Sequence, residues 1–546
     1  MSTAAARWEA ALAAWSAGRK AEAEAAMRAL VAAGDADAER AAQLARIVYN
    51  RAVEALDRDG IDAAEALLRE ALAFAPALPE LRRGLVKLLF RRIALHETAG
   101  AWPTAAMAAW EIVGLSPEPV AAMGETVAAL AQRMEARSVA SVATDALTAC
   151  RLMLAAWGLA GKNRQYYATT RSMFVHLGTG ELGSPVDAAV FEALLVADSR
   201  DLVALLGLSN IHRRARRLHT AEMLCRNALE HWPENPFAEG RLASILVEQG
   251  SLNAADALFR KLGARYGGIE AVLRFEPAFL RSLPAVDAVP ADEIAPLPAG
   301  APDVELVVLA GGDAVYFHRF ADALANSLAL NCRALALHFH VVDPDPAVAE
   351  RLQAMRQRLP GISIALTAET LAAEFPRAHA RTYFACARFL QLPRLLAAYG
   401  RPILLLDIDM VVLRDVAPLL ARFRAEQADL ALVHGETREP WSALWADAIL
   451  IAPTPRAGAY AAMVRDYIGH FFAQGEAAWF LDQVALFAAR AAGFQDRAAP
   501  VVLAWPTDIQ NTRTDVAYFW SLHMSQPKNV AGPESPFYRR FRENAP

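Results

Sequence analysis

Two carboxylates spaced two residues apart, Asp407 and Asp409, close the run RPILLLDIDMVVL, in which the apolar stretch Ile403 to Leu406 predicts a strand buried on both faces. On an extended chain residues at that spacing point to the same side. The pair can then offer oxygens to one hard divalent cation, with phosphate oxygens and water completing its shell. Without a cation the two charges repel. The carboxyl end of a buried strand is also where α/β sheets place ligands. Three residues make a short pattern, but the setting adds weight: the strand before the pair and the β-like VVL after it put both acids in a sheet's edge region, where unneutralised charge is costly.

The elements around that pair read as short β-rich runs, VELVVLA, ALALHFHVV, ISIALT, PILLLDID, DLALVH and AILIA. They alternate with helical segments such as YFHRFADALANSLALN and PAVAERLQAMRQRL. This alternation predicts an α/β domain with a mostly parallel sheet over residues 303–546. Upstream, Pro284, Pro290, Pro296, Pro298 and Pro302 interrupt any helix, so residues 276–302 read as a Pro-rich, partly stiff linker.

Residues 1–275 have a different pattern. Ala, Leu, Arg and Glu dominate, apolar residues recur three and four apart, and Val/Ile runs are missing, which predicts an all-α unit. Leu208, Ala221 and Cys225 recur 34 residues later as Leu242, Ala255 and Phe259. Gly250 sits between two amphipathic runs as a helix terminator, and Pro233 closes the preceding unit. Nearer the start, Ala23, Met27 and Leu30 return as Ala64, Leu68 and Ala71 and again as Ala105, Ala109 and Ile112, at a spacing of 41, with Pro76 and Pro117 at matching unit ends. These positions resemble the tetratricopeptide repeat. The resemblance implies a helical-repeat solenoid whose use is to hold a protein or peptide partner. The cluster Arg213, Arg214, Arg216 and Arg217 reads as a solvated helix end.

Composition bounds the rest. With 546 residues, 55% apolar and 21% charged, the chain can bury more than one core. A formal charge of -5 gives no long-range attraction for nucleic acid, and no stretch approaches the roughly 18 apolar residues of a membrane span. The opening MSTAAARWEA lacks the charged flank and apolar core of a secretory signal, so a cytoplasmic protein without nucleic-acid or membrane partners is expected. Cys150, Cys225, Cys332 and Cys386 form no CxxC pair and read as buried thiols.

Taken together, residues Val304 to Asn529 resemble a GT-A-fold glycosyltransferase of glycosyltransferase family 8. The carrying segments are LAGGDAVYFHRFADALANSL, TYFACARFLQLPRLL, the DxD strand, AWFLDQVALFAA and SLHMSQPKN. The resemblance implies a metal-dependent transferase of retained configuration that uses Mn2+ or Mg2+ and a nucleotide-sugar donor, with a UDP-sugar expected. It places base and ribose at Asp313 and Tyr316, the donor at Arg388, and the transferred sugar and acceptor at Asp482 and Gln483. His523 would join Asp407 and Asp409 on the metal, and Lys528 would reach the diphosphate. This chain departs from the family in lacking the glycine between His523 and Lys528 and the Asn-Ala-Gly of the strand WADAILIAP, where Asp447 stands instead. Two other readings compete. One is a phosphatase of the haloacid dehalogenase type, which carries DxD on the first strand of its domain. The other is a catalytically degenerate transferase fold kept as a binding or scaffold protein.

Overall fold

In a computed structural model the two-part α and α/β architecture expected above is the one observed. The structure describes residues 3–115, 124–161, 166, 169–170, 173–174, 188–286, 292–295, 304–435, 439–494, 498–510, 516–521 and 536–543. Contacts divide the chain into two compact units, Met1–Ala238 and Glu239–Pro546. Residues 239–275, read from sequence as the end of the repeat array, therefore group by contact with the α/β elements. Among the described residues no helix is long and apolar enough to cross a membrane.

The first unit is built of helix hairpins, among them Lys20–Ala32 following Ala4–Ser16, Ile61–Phe74 following Ala38–Arg58, and Trp102–Leu115 following Pro79–Thr98. The residues that recur at 41 are its core: Ala23, Met27, Leu30, Ala64, Leu68, Ala71, Ala105, Ala109 and Ile112 are all buried. Charges follow the same period. Glu24 pairs with Arg28 at 2.5 Å and with Arg51 at 2.5 Å, and Arg28 reaches Glu70. One unit later Glu65 pairs with Arg69 at 2.6 Å and with Arg92 at 2.7 Å, and Arg69 reaches Glu111 at 2.6 Å. Each acid thus bridges two helices of neighbouring hairpins. In the third unit the positions of the acid and first arginine hold Ala106 and Trp110, and Trp110 stacks on Trp157 at 6.4 Å instead.

The second unit takes in most of the helix Pro236–Glu248, and Leu252–Tyr266 follows it across a turn where Gly250 takes φ 80°, a left-handed conformation that a side chain would strain. Leu242, Ala255 and Phe259, the second copy of the 34-residue repeat, are buried here as Leu208, Ala221 and Cys225 are in the first unit. The stretch read as linker contains a short helix, Pro277–Ser282, and a strand, β1 (Asp292–Ala295). Then follow β2 (Leu306–Asp313), β3 (Leu335–Val342), β4 (Ser363–Glu369), β5 (Ile403–Asp407), β6 (Met410–Val412), β7 (Leu430–His434), β8 (Leu444–Ile451), β9 (Val502–Trp505) and β10 (Phe519–Ser521).

The main sheet has the order β1-β4-β3-β2-β5-β8-β7-β9. Strands β4, β3, β2 and β5 run parallel; β8 is antiparallel to both neighbours, and β1 pairs antiparallel with β4 at the edge. β6 and β10 form a separate antiparallel pair. The apolar runs of β2, β3 and β5 are buried along their length, as strands covered on both faces must be. The terminal helix Pro536–Glu543 packs on Ala314–Asn331, where Asn326 Nδ2 donates to the Phe541 carbonyl at 2.7 Å. All four cysteines are buried thiols, as expected.

Two histidines in β3 that the sequence reading left without a role organise the sheet face under the helix Arg377–Tyr399. His338 Nδ1 lies 2.5 Å from the Tyr399 hydroxyl and its Nε2 2.9 Å from Thr367 Oγ1, which also meets His340 Nδ1 at 2.9 Å. Glu369 faces His340 at 3.4 Å and accepts from Gln391 Nε2 at 3.3 Å. Burial holds the His338 imidazole down to about 3, and charge on His340 and Arg394 adds to the effect. The unfolded chain binds this proton near 6.5 and the native protein does not, so the site's contribution is complete above that value and is lost as pH falls toward 3. We expect on the order of 5 kcal/mol of stability at most to disappear through that window. His338→Gln cannot titrate, so its urea midpoint should depend less steeply on pH between 6.5 and 4; identical slopes would count against this account.

Candidate active site

β5 carries its apolar run into the sheet and releases Asp407 at its end. The chain does not continue as one extended strand through the second acid, as the spacing argument expected. Ile408 and Asp409 form a turn, and β6 starts at Met410 in the smaller sheet. Ile408 is buried while both acids are half-buried, and Asp407 and Asp409 still line the same cavity. The turn thus achieves by a change of chain direction what an extended chain achieves by alternation.

That cavity, about 570 Å³, falls in the range of small-molecule sites. Its floor is the end of β2, where Gly311 and Gly312 precede Asp313. A Cβ on Gly311 would stand 3.2 Å from the Arg388 Cβ, so glycine there lets the helix Arg377–Tyr399 close on the strand. Asp313 caps the helix Ala314–Asn331 by accepting from the Tyr316 amide at 2.8 Å, and Tyr316 lies at the cavity rim, partly exposed.

Arg388 is buried. It forms an ion pair with Asp407 and donates from Nη2 to the Ala446 carbonyl at 2.9 Å. Its charge stays firmly on the protonated side: burial works against it, but Asp407 and Asp482 outweigh that cost. Asp482 lies in the first turn of Leu481–Ala492, accepting from the Gln483 amide at 2.8 Å. Burial pushes its carboxyl up to about 6 against the pull of Arg388. The residue ahead of that helix, Phe480, has φ 72°, a strained value for a bulky side chain that the surroundings must hold, and this bend sets where Asp482 and Gln483 face. With its amide turned so that the nitrogen faces them, Gln483 donates to the carbonyls of Trp441, at 3.1 Å, and Leu444, at 2.8 Å, the orientation that satisfies both of its polar atoms.

Asp447 of β8 completes the arrangement. Its Oδ2 accepts from Gln510 Nε2 at 2.7 Å, while its buried Oδ1 has no hydrogen-bond partner among the described residues. Burial, followed by the charge of Asp407, pushes its carboxyl up to about 7. Among the described residues, five carboxyls (Asp313, Asp407, Asp409, Asp447 and Asp482) and two guanidiniums (Arg381 and Arg388) line the cavity. Arg381 stacks over the Trp479 ring at 4.5 Å, and Trp479 is partly exposed at the edge.

The cavity therefore brings together Asp313, Tyr316, Arg388, Asp407, Asp409, Asp482 and Gln483 from the sequence reading. His523 and Lys528 lie outside the described residues. Arg381, Ser442, Trp445 and Trp479 were not anticipated; only the Gly-Gly doublet ahead of Asp313 signalled where backbone would pack closely. Among the described residues no group of three or more His, Cys, Asp or Glu is placed to hold a metal. Asp407 and Asp409 supply hard oxygens on one side of a cavity otherwise rich in negative charge, a donor set that suits Mg2+ or Mn2+.

No protein-family model matches the chain, and no curated protein does. Among solved structures, the apo form of the bifunctional glycosyltransferase WbbM is similar over 46% of this chain and 51% of its own, at 17% identity and a TM-score of 0.31. The apo-form glycosyltransferase GlyE of Streptococcus pneumoniae is similar over 38% of this chain and 46% of its own, at 17% identity and 0.28. A tetratricopeptide repeat protein from Parabacteroides merdae is similar over 42% of this chain and 83% of its own, at 13% identity and 0.17. The chain spans about half the length of the first two. Likeness at this level assigns no activity.

Proposed function

We propose that the unit Glu239–Pro546 is a glycosyltransferase that moves a sugar from a nucleotide-sugar donor. The observation that carries this reading is the placement of Asp407 and Asp409 at the end of a central parallel strand, beside the buried Arg388, on one cavity of about 570 Å³. The strand order, with β8 reversed beside the DxD strand, suits a GT-A-like fold.

Electrostatics supports a divalent cation. Five carboxyls against two guanidiniums repel a diphosphate, and a divalent cation held by Asp407 and Asp409, with His523 as a third ligand, would offset most of that excess and give the diphosphate oxygens a positive charge to bind. When bound, such an ion neutralises charge on the leaving nucleotide as the anomeric bond breaks. The protein's own groups do the rest. Arg388 presents a fixed fork beside Asp407, Asp313 and Tyr316 form the wall assigned to base and ribose, and Asp482 and Asp447 offer oxygens to sugar hydroxyls. Retention of configuration, a UDP donor and recruitment of a protein acceptor by the helical repeats belong to the same proposal.

The test is a panel of nucleotide sugars incubated with the whole protein, with Mn2+ or with chelator. We expect one donor to be hydrolysed or transferred in a metal-dependent way, and its nucleoside diphosphate to bind at micromolar to millimolar concentration, the usual range for substrates. A protein that binds no donor across the panel would leave the scaffold reading in its place.

A further inference from the structure

Helix Pro236–Glu248 sends two side chains to the loop between β7 and β8. Arg241 Nη1 lies 3.6 Å from Glu439 Oε1, each side chain 3% exposed, and Ser244 Oγ donates to Glu439 Oε2. A pair this dry is costly to break from one side, so the loop is tied firmly to this helix. The Glu439 carbonyl in turn accepts the amides of Ser442 at 2.9 Å and Ala443 at 2.8 Å, and the Ala443 carbonyl accepts from the Gly435 amide at 3.0 Å. From the opposite side the Gln483 amide group faces the carbonyls of Trp441 and Leu444, and donates to both once its nitrogen is turned toward them. The segment fixed in this way leads directly into Ser442, Trp445, Ala446 and Asp447 on the cavity wall, and Ala446 is the carbonyl that Arg388 holds.

Other contacts bind the same region to the same wall. Phe275 packs edge-on against Phe487 of the helix that carries Asp482, with ring centroids 5.6 Å apart. Tyr467 donates to the Val272 carbonyl and accepts from the Arg274 amide at 3.0 Å.

We propose that Arg241, Ser244 and Glu439 form a clasp that sets the position of residues 439–447, making Glu439 a positioning residue for the reaction and residues 239–282 an integral part of the transferase. Its catalytic readout rests on the function proposed above; its structural readout does not. The sugar and acceptor side of the cavity is the side most affected, while the metal and diphosphate end is built on β2 and β5 and meets this segment through the hydrogen bond from Arg388 to the Ala446 carbonyl.

The experiment uses the full chain with Arg241→Met, Glu439→Gln, Ser244→Ala and the conservative Arg241→Lys. Amide exchange at Ser442 and Ala443 should quicken about tenfold in Arg241→Met and Glu439→Gln, with Leu404 to Leu406 unchanged, because only a local opening is released. Turnover should fall by about tenfold with the donor KM held within about twofold, the pattern of lost positioning rather than lost donor binding. Arg241→Lys should recover most of both effects. Ser244→Ala, which removes only a hydroxyl, should show the same pattern at smaller size and stands in if the charge variants fail to fold. Unchanged exchange at Ser442, equal loosening of β5, or full turnover despite a loosened loop would each overturn the proposal. A wild-type chain that neither binds nor turns over a donor would instead defeat the functional reading, and the exchange measurement would still decide the clasp.

Discussion

Asp409→Asn should lower metal-dependent turnover of the donor on the order of 10³-fold, the scale expected when charge stabilisation of a leaving group is withdrawn. Asp407→Asn should lose activity to a similar degree and should also be less stable in denaturant. Asp407 neutralises the buried Arg388, so the amide leaves a guanidinium short of its partner and the urea midpoint should drop. Full turnover in either folded variant would reject the metal assignment.

Arg388→Met is expected to have the largest combined effect. Without the guanidinium, Asp407, Asp447 and Asp482 lose the positive charge that now offsets their mutual repulsion, although Arg381 remains on the cavity. Two of these carboxyls already sit at about 6 and about 7, and each should rise further, taking up protons to limit the repulsion. A loss of about 3 kcal/mol is the usual scale for breaking such a buried arrangement from one side. Arg388→Lys separates charge from geometry. It keeps the positive charge but cannot reach both the Asp407 carboxylate and the Ala446 carbonyl as a planar fork does. That variant should fold, with turnover reduced about 10- to 100-fold. Wild-type rates in Arg388→Lys would mean that the fork is irrelevant; a loss of stability as large as in Arg388→Met would mean that the charge is.

Much of this was readable along the chain because local pattern carried it. The continuous apolar run before Asp407 could only be a strand covered on both faces, and such a strand delivers its last residues to a ligand site. The positions repeating at 41 were legible as core because burial fixes residue size at equivalent places. The charges at the same period, Glu24 with Glu65 and Arg28 with Arg69, were equally available, and attention to apolar residues alone passed over them. What the sequence did not disclose depends on distant partners. Glu439 meets Ser244 across 195 residues, and nothing local to either announces the other. His338 and His340 lie in an apolar strand whose pairing with β4 decides that Thr367 and Glu369 will face them. The turn at Ile408 and Asp409 escaped for a related reason: VVL reads as a continuation of the strand, whereas its hydrogen-bonding partner is β10, more than a hundred residues later.

The ion pairs that repeat through the first two helical units, and stop at the third, imply that the array does not respond uniformly to its solvent. Bridges whose arginine is half-exposed, as Arg51 with Glu24 and Arg69 with Glu111, weaken as the Debye length shrinks, from about 10 Å at 0.1 M salt to about 3 Å at 1 M. Stacked indoles such as Trp110 and Trp157 are held by contacts that salt does not screen. In an array whose stability is a sum of neighbour terms, raising ionic strength should loosen the joint between the first hairpins before the later ones, so that fraying begins at the amino-terminal end. Heat acts on the same two kinds of joint differently, since the cost of desolvating charges falls as temperature rises. Salt and temperature would then open this array from different places.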